Sequence, residues 1–510
     1  MYRKEYPLCG ARLATKKALR KDTLMDIITL IKELTDGFKK AQDEFTNHPD
    51  RFSDMEKTVA DLSRKTAAEF LSMTLTQTDE ILCNGAAKKK DYKIQRHDQR
   101  TLITTVGDVT FTHTLFKDCR NGECRYLLDE LLHLPRREKF SSQAEAKVLY
   151  LAQVHSYQHA ADGIQVGGQT ISRTTVMSKV HGIDKEMLPE KELPANEKKH
   201  CQYLYIEADE DHIHSQQNKT DKTGMIGKLV YIFEGKDEEL SGRRILRNPH
   251  YIGGLYQGRR ENARLWKEVD QYIQDHYDVE ALKTVYISGD GGSWIKAGTD
   301  YVGHSVFVAD RFHLMKYINR VSKYTLDEEN VTKGRFYKYI YKNKLVAAKK
   351  LLTRIQNHCE GSDKAVEECR SFLINNWDAI QRAFHDKHVI GCSAEGHVSH
   401  VYSERMSSRP MGWSEQGSDN MCRLRCFVRN NGREKIIDLV HHRREKVFQE
   451  QHKKATGTDG TLIDMEEVRI RRKHINHNLA KYYNSLQVTL GNTTGTVRKT
   501  FAIRNRLNEI

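Results

Sequence analysis

The chain has 510 residues, 38% of them hydrophobic, and 83 lysine plus arginine against 69 aspartate plus glutamate, for a net charge of +14. That length suits roughly three domains, and the composition excludes a disordered tail, while no apolar run approaches the roughly 18 residues of a spanning helix. Residues 1–20 lack a signal peptide's apolar segment and cleavage site, the cysteines are sparse and scattered as suits a reducing cytoplasm, and the excess positive charge makes a polyanion the first partner to consider.

In chain order, Leu19–Cys83 reads as helical, with Leu24, Ile27, Ile28, Ile31 and Leu34 on one face. The period then changes, and Thr101–Val106 and Val109–His113 flank Gly107-Asp108 as a predicted hairpin. Cys119 and Cys124 bracket a second turn and lack the further ligands that zinc requires. Ser142-Gln143-Ala144-Glu145 has capping-box spacing and opens a helix ending near His155. A second helix covers Tyr157–Ile164, and a third opens at Ser172-Arg173-Thr174-Thr175-Val176 and continues through Val180. The triplet resembles a helix-turn-helix unit, in which Ser172, Arg173 and Thr174 at the start of the last helix reach base edges. An ordinary helical subdomain with solvated ends is the alternative. Pro189, Pro194 and Glu197-Lys198-Lys199 read as a linker.

Tyr203–Asp209 is an apolar, β-prone run ending in acid, followed by strands at Lys228–Phe233 and within Arg244–Tyr256. Gly258–Tyr277 reads as a helix, Thr284–Ser288 as a buried strand before Gly289-Asp290-Gly291-Gly292, and Ser305–Val308 as a strand before Ala309-Asp310-Arg311-Phe312-His313. The order β, β, β, α, β, α, β is that of an RNase H-like core. Leu314–Ile390 is helix-rich and too long for a connection, so it reads as an all-helical insertion. Asp209 and Asp290 lie just past strand ends, where α/β sheets gather functional groups. Adjacent carboxylates repel unless a cation intervenes, and magnesium prefers oxygen ligands. Asp211 is the alternative to Asp209. Glu395 is the candidate third acid, with Glu404 behind it.

Other readings are weaker. The glycines around Asp290 do not fit a dinucleotide fingerprint, because Trp294 stands where the third glycine belongs. His212-x-His214 and His397-x2-His400 offer imidazoles, but nothing in the sequence joins the pairs, so they read as structural or DNA-contacting. Cys422-x3-Cys426 lies on one helical face.

Tyr205-Ile206-Glu207-Ala208-Asp209, Gly289–Ile295, Asp310-Arg311-Phe312-His313, Cys392–His400 and Ser407–Ser414 together resemble the ISLre-type bacterial insertion-sequence transposases. The resemblance extends upstream to Thr105–Val109 and Tyr126–Glu130 and covers about residues 90 to 430. It implies a DDE transposase with Asp209, Asp290 and Glu395 as catalytic and metal-binding triad, and two Mg2+ ions for which Mn2+ substitutes. Asp310 and His313 look like the signature of Mutator-like relatives and, with His397 and His400, would support the site or orient DNA. It further implies double-stranded DNA as partner, a homodimer or higher oligomer, and a bacterial, nucleoid-associated cytoplasmic setting. Arg405, Arg409, Arg423 and Arg425 are candidate phosphate contacts. A catalytically inactive DNA-binding derivative and a structure-selective nuclease on the same fold are the alternative functions.

The expected scheme is multidomain α/β: an N-terminal helical region (1–90), a small β segment (91–135), a helix-turn-helix-like domain (136–190), a catalytic core in two parts (200–313 and 391–430) split by the all-helical insertion (314–390), and a basic helical region (431–510). Met421–Ile510 holds 19 lysine plus arginine against 9 aspartate plus glutamate, leaving 64 against 60 before it, so most of the positive excess lies at the C-terminal end.

Overall fold

The computed structural model describes residues 9–84, 92–119, 121–164, 168–183, 193–216, 224–238, 244–409 and 411–455. The basic region beyond residue 455 lies outside them. The chain divides into two compact units, one of Met1–Ala144, Gln165–Thr170 and His441–Ile510, the other of Glu145–Ile164 and Ile171–Val440. This differs from the expected scheme, because most of the predicted helix-turn-helix segment shares a unit with the large sheet.

In the first unit, the helices Cys9–Asn47 and Phe52–Asn84 are separated by a short turn in which Pro49 takes the first position. Proline lacks the amide that would continue the first helix, yet is preorganised to begin the next. Strands β1 (Tyr92–Thr104), β2 (Gly107–Asp118) and β3 (Cys124–Tyr126) form an antiparallel sheet in that order. Thr104 pairs with Gly107, so the hairpin turn is Thr105-Val106, two residues earlier than expected. Gly107, with φ of 135°, opens β2 instead of forming the turn tip. Leu82 of the second helix packs with Leu102, Val109, Phe111, Leu128 and Leu134.

The second unit is built on five strands: β4 (Tyr203–Ile213), β5 (Met225–Phe233), β8 (His250–Leu255), β9 (Thr284–Gly289) and β10 (Ser305–Ala309). A ribbon of β6 (Gly235–Glu238) and β7 (Arg244–Arg247) lies between β5 and β8 in sequence. The five run β10-β9-β4-β5-β8 across the sheet. β4, β9 and β10 are parallel, and β5 is antiparallel to both β4 and β8. Alternation decides the faces: Leu204, Ile206 and Ala208 join Val285 and Ile287 in the core, where the helix Gly258–His276 buries Leu265, Trp266, Val269 and Ile273. Replacing a buried tryptophan such as Trp266 by alanine costs about 3–5 kcal/mol.

The stretch expected as an insertion forms the helices Arg311–Ser322, Glu329–Tyr341, Leu345–His358 and Asp363–His385. Their Phe336, Ile340, Leu352, Leu373 and Ile380 share one apolar cluster with Leu204 and Ile206, so these helices are a layer of the same core. At the other side of the sheet, the helix Glu415–Asn431 covers β8. Asp419 accepts a hydrogen bond from the Leu255 amide at 2.8 Å, and the Asn430 side chain accepts from the Tyr251 amide (2.7 Å) and donates to the Tyr251 carbonyl (2.9 Å). Side chains thereby satisfy an edge that would otherwise be open to pairing. A Cβ at Gly254 would lie 2.8 Å from Asp419, which is why the strand carries glycine there.

The helix triplet forms at Ser142–Val154, Tyr157–Asp162 and Arg173–His181. The expected capping box does not: the Ser141 hydroxyl accepts the Ala144 amide, whereas Glu145 is buried and pairs with Lys179 at 3.2 Å. Among the described residues, no helix is long and apolar enough to cross a membrane.

Candidate active site

Register aligns the acids. β4 and β9 are parallel with Glu207 opposite Ser288, so Asp209 and Asp290, each two residues further on, stand at the same level and on the same face. β9 and β10 are parallel with Gly289 opposite Ala309, and the Asp310 amide donates to the Gly289 carbonyl at 3.0 Å. Asp310 therefore follows Asp290 in the row. Asp290 and Asp310 follow the ends of β9 and β10, whereas Asp209 lies inside β4, paired with Leu229 and four residues before the strand ends at Ile213; it was expected just past a strand end, and the strand runs on because β5 continues to pair with it.

The row concentrates negative charge. Burial, and then the charge of Asp290, push the Asp209 carboxyl up to about 6, against the opposing effects of the Glu210 amide and His313. Asp209 accepts that amide at 2.8 Å, and Asp290 accepts the Gly292 amide at 2.8 Å. Asp310 caps the next helix, accepting from the Phe312 amide (3.0 Å), and also holds His313 Nδ1 at 2.8 Å. This hydrogen bond raises the His313 pKa, with further support from the charges of Asp310, Asp290 and Asp209. Gly291, with φ of 93°, passes so close to Asn376 that a Cβ would lie 2.9 Å from its amide oxygen. That oxygen is buried and has no hydrogen-bond partner among the described residues. All-oxygen donors, crowded negative charge and an unsatisfied acceptor nearby fit a hard divalent cation.

Glu395 lies exposed in the first turn of the helix Ala394–Val398. The segment leading to it is anchored to β4. Glu207, only 1% exposed, accepts from the Ser393 amide (2.6 Å), the Ser393 hydroxyl (3.0 Å), Lys236 Nζ (3.1 Å) and the Tyr231 hydroxyl. Lys236 also donates to the Gly391 carbonyl at 3.1 Å. Burial drives the Cys392 thiol well up, with Glu207 and then Asp310 adding to it, so this segment runs beside the row. The Glu395 carboxylate makes no ion pair or hydrogen bond among the described residues, while its carbonyl accepts from the Ser399 amide. The carboxylates do not converge as they stand: among the described residues, the three-residue ligand cluster with atoms within 4.8 Å of one another is Asp79, Cys83 and His97, in the other unit.

Several predicted contacts have other employment. Arg405 is 5% exposed, donates to the Ala152 carbonyl at 3.0 Å and lies over the Tyr157 and Trp413 rings; burial lowers its pKa to about 10. Arg425 is 6% exposed and donates to the Val401, Gln153 and His400 carbonyls. Arg423 is bound to Asp419 at 3.2 Å and to the Tyr256 hydroxyl at 3.3 Å. These three arginines are internal braces, which corrects their expected role at phosphates; Arg409 is exposed. His397 packs against Tyr231 and receives or donates a bond with the Tyr251 hydroxyl at 3.0 Å, and burial lowers its pKa. The exposed His400 contributes its carbonyl to Arg425. Asp211, the alternative ligand, accepts the Ser407 hydroxyl at 2.8 Å. Cys422 and Cys426 are buried on their helix.

Ser172, Arg173 and Thr174 are exposed, but the Ser172 hydroxyl caps its own helix by accepting the Thr175 amide at 3.2 Å. The other end of that helix is docked: Asn420 donates to the Val180, His181 and Ile183 carbonyls at 3.0–3.1 Å.

The profile of UPF0236, an uncharacterised protein family, matches residues 47–443, a span that includes the aspartate row and Glu395. The chain belongs to the UPF0236 family. A UPF0236 protein of Caldanaerobacter subterraneus subsp. tengcongensis, carried at multiple loci, is 32% identical over 377 residues, covering 73% of this chain and 77% of its own. Another from that organism is 30% identical over 425 residues, covering 83% and 82%. Among solved structures, a Drosophila P element transposase strand transfer complex is similar at 10% identity and a TM-score of 0.22, covering 67% of this chain and 92% of that one, an overlap that defines no shared fold.

In this UPF0236 chain the sequence reading passed over Glu207 and Lys236. The available signal was a glutamate inside an apolar strand, two residues before Asp209 and hence on the same face. Buried carboxylates are rare without a partner, but the partner, Lys236, lies in a ribbon that the sequence did not reveal.

Proposed function

We propose that this UPF0236 protein is a DNA transposase that nicks the ends of a mobile element and joins the freed 3′-hydroxyls to target DNA by transesterification. The observation that carries the reading is the alignment of Asp209, within β4, with Asp290, at the end of the neighbouring parallel strand β9, with Asp310 beside them. Numbered by occurrence within the five-stranded sheet, the strand order is 3-2-1-4-5 with the second strand antiparallel, which supports an RNase H-like catalytic core. A relative carried at multiple loci of one genome supports a mobile element.

Asp209, Asp290 and Glu395 would hold two Mg2+ ions, with Mn2+ as substitute, which supply activation of water or a 3′-hydroxyl and stabilisation of the leaving oxygen. The chain's own groups prepare that chemistry. The Gly292 amide orients Asp290, and the Glu207–Lys236 pair fixes the segment that launches Glu395. His313, held by Asp310, offers a positive group beside the row for a phosphate oxygen. Arg173, Thr174 and Arg409, all exposed, are the remaining candidate DNA contacts from those regions, and the basic residues beyond 455 add electrostatic affinity. Joining two ends requires at least two copies on double-stranded DNA.

The test is incubation of the full chain with element-end DNA and Mg2+. Nicked ends and joined products are expected. Cleavage of branched DNA irrespective of terminal sequence, with nothing joined, would point to a nuclease instead, and binding without cleavage to an inactive derivative.

A further inference from the structure

We infer that the first unit holds a zinc ion between Asp79, Cys83 and His97, strapping its second long helix to the β1–β2 hairpin. This site stands independently of the proposed chemistry at the aspartate row.

The cluster is built by two local geometries. Asp79 and Cys83 are four residues apart on the helix Phe52–Asn84, and so lie on one face, one turn apart. His97 of β1 sits directly opposite Thr114 of β2. Docking the helix on the hairpin joins the two pairs. The ligand atoms of Asp79, Cys83 and His97 all lie within 4.8 Å of one another, with Cys83 Sγ 3.9 Å from Asp79 Oδ2. Zn–O, Zn–N and Zn–S bonds of about 2.0–2.3 Å at tetrahedral angles separate ligands by roughly 3.3–3.8 Å, so small side-chain adjustments close the site.

Thr114 orients the set. Its amide donates to Asp79 Oδ1 at 2.9 Å and its hydroxyl donates to Asp79 Oδ2. The same hydroxyl lies 2.7 Å from His97 Nδ1 and 3.3 Å from Cys83 Sγ. Asp79 is 2% exposed, and no lysine or arginine pairs with it among the described residues. A buried carboxylate is favoured by a nearby cation, and this cluster has the donors to hold one. Water completes four-coordination, with the Thr114 hydroxyl outside the shell as a hydrogen-bond partner of the ligands.

Donor chemistry selects the ion. Thiolate and imidazole beside one carboxylate suit zinc, whereas magnesium takes an all-oxygen shell. Placement suggests the purpose. Leu82, between Asp79 and Cys83 in sequence, is a member of the small apolar cluster of this unit, which includes only a few fully buried side chains. Where a core is small, a metal contributes folding energy directly.

The experiment measures zinc by elemental mass spectrometry on the full chain carrying Asp290→Asn, so that metal at the aspartate row does not confuse the count. About one zinc per chain is expected. It should fall to near zero with Cys83→Ser or His97→Gln and stay unchanged with Cys119→Ser, which alters an exposed thiol elsewhere. His97 is exposed, so its replacement leaves the core packing in place. Should Cys83→Ser prevent folding, cobalt(II) added to the metal-free parent decides: a thiolate-to-cobalt absorption band that His97→Gln weakens supports the site. Absence of both zinc and that band, or zinc retained in both variants, overturns it.

Discussion

Two clusters in this chain invite metal for opposite reasons. The row of Asp209, Asp290 and Asp310 offers only oxygen, is set by parallel strand register, and gathers residues from three separate strands. The Asp79, Cys83 and His97 cluster mixes oxygen, sulfur and nitrogen, and comes from one helix and one hairpin. In the row, sheet register alone brings the acids side by side, because β9 and β10 end at the level at which β4 carries Asp209. In the mixed cluster, everything depends on how a helix docks on a hairpin. Strand-end carboxylates are accordingly visible in a sequence, and docked clusters are not.

The comparison is sharpened most by the acids themselves. Asp209→Asn and Glu395→Gln should each lower Mg2+-dependent nicking by about a thousandfold or more, equivalent to about 4 kcal/mol of barrier. Asp211→Asn, which alters bonds to the Ser407 and Ser403 hydroxyls and the His212 amide away from the row, should keep cleavage within a few-fold. Cleavage kinetics on one DNA substrate check all three. If Asp211→Asn is the inactive variant, the ligand assignment moves by one register position pair.

Next comes the brace beneath the site. Glu207→Gln leaves the half-buried Lys236 without its charge partner, and breaking a largely buried pair costs about 3–5 kcal/mol. A lower denaturant midpoint should accompany reduced cleavage, with Glu207→Asp restoring part of both. An activity loss without any stability loss would make Glu207 a participant in chemistry instead of a positioning residue.

The arginines separate scaffold from surface. Arg405→Ala removes the donor to the Ala152 carbonyl, which costs about 1–3 kcal/mol when left unsatisfied, and should lower the unfolding midpoint. Arg409→Ala should leave the midpoint unchanged while weakening DNA binding and flattening its salt dependence. Thermal melts and titrations at two salt concentrations distinguish them.

The smallest expected effect is a pH dependence. Because the Asp209 pKa is raised to about 6, its contribution to stability without cation is present at low pH and is lost as pH rises through about 6. A bound cation requires the ionised form and reverses this. Mg2+ should therefore raise the melting temperature more at pH 8 than at pH 5. Asp290→Asn removes a neighbouring negative charge and should shift the transition downward.

Much of the second unit was legible in the sequence. The helix Gly258–His276 and strands β4, β9 and β10 fall within a residue or a few of their expected bounds, since buried strands and a 3.6-residue period leave strong marks. The hairpin turn was displaced because Gly107 suggested a turn tip, whereas its positive φ serves the first position of the strand. The stretch read as an all-helical insertion; that its Phe336 and Leu352 complete the core is what helical periodicity alone cannot show. The arginines failed for a different reason: a guanidinium that donates to carbonyls or a carboxylate inside a helix layer has the same sequence signature as one that faces phosphate. Glu207 was overlooked because its partner comes from another ribbon.

The central claim is tested most directly by strand transfer. Purified full chain, pre-cleaved element-end DNA with a free 3′-hydroxyl and a plasmid target are combined with Mg2+, beside Asp290→Asn under the same conditions. The account predicts covalently joined product with the parent chain and Mg2+, none with chelator, and none with Asp290→Asn although it still binds the DNA. Joining by Asp290→Asn at the parent's rate, or no joining by a parent chain that binds these ends, would contradict it.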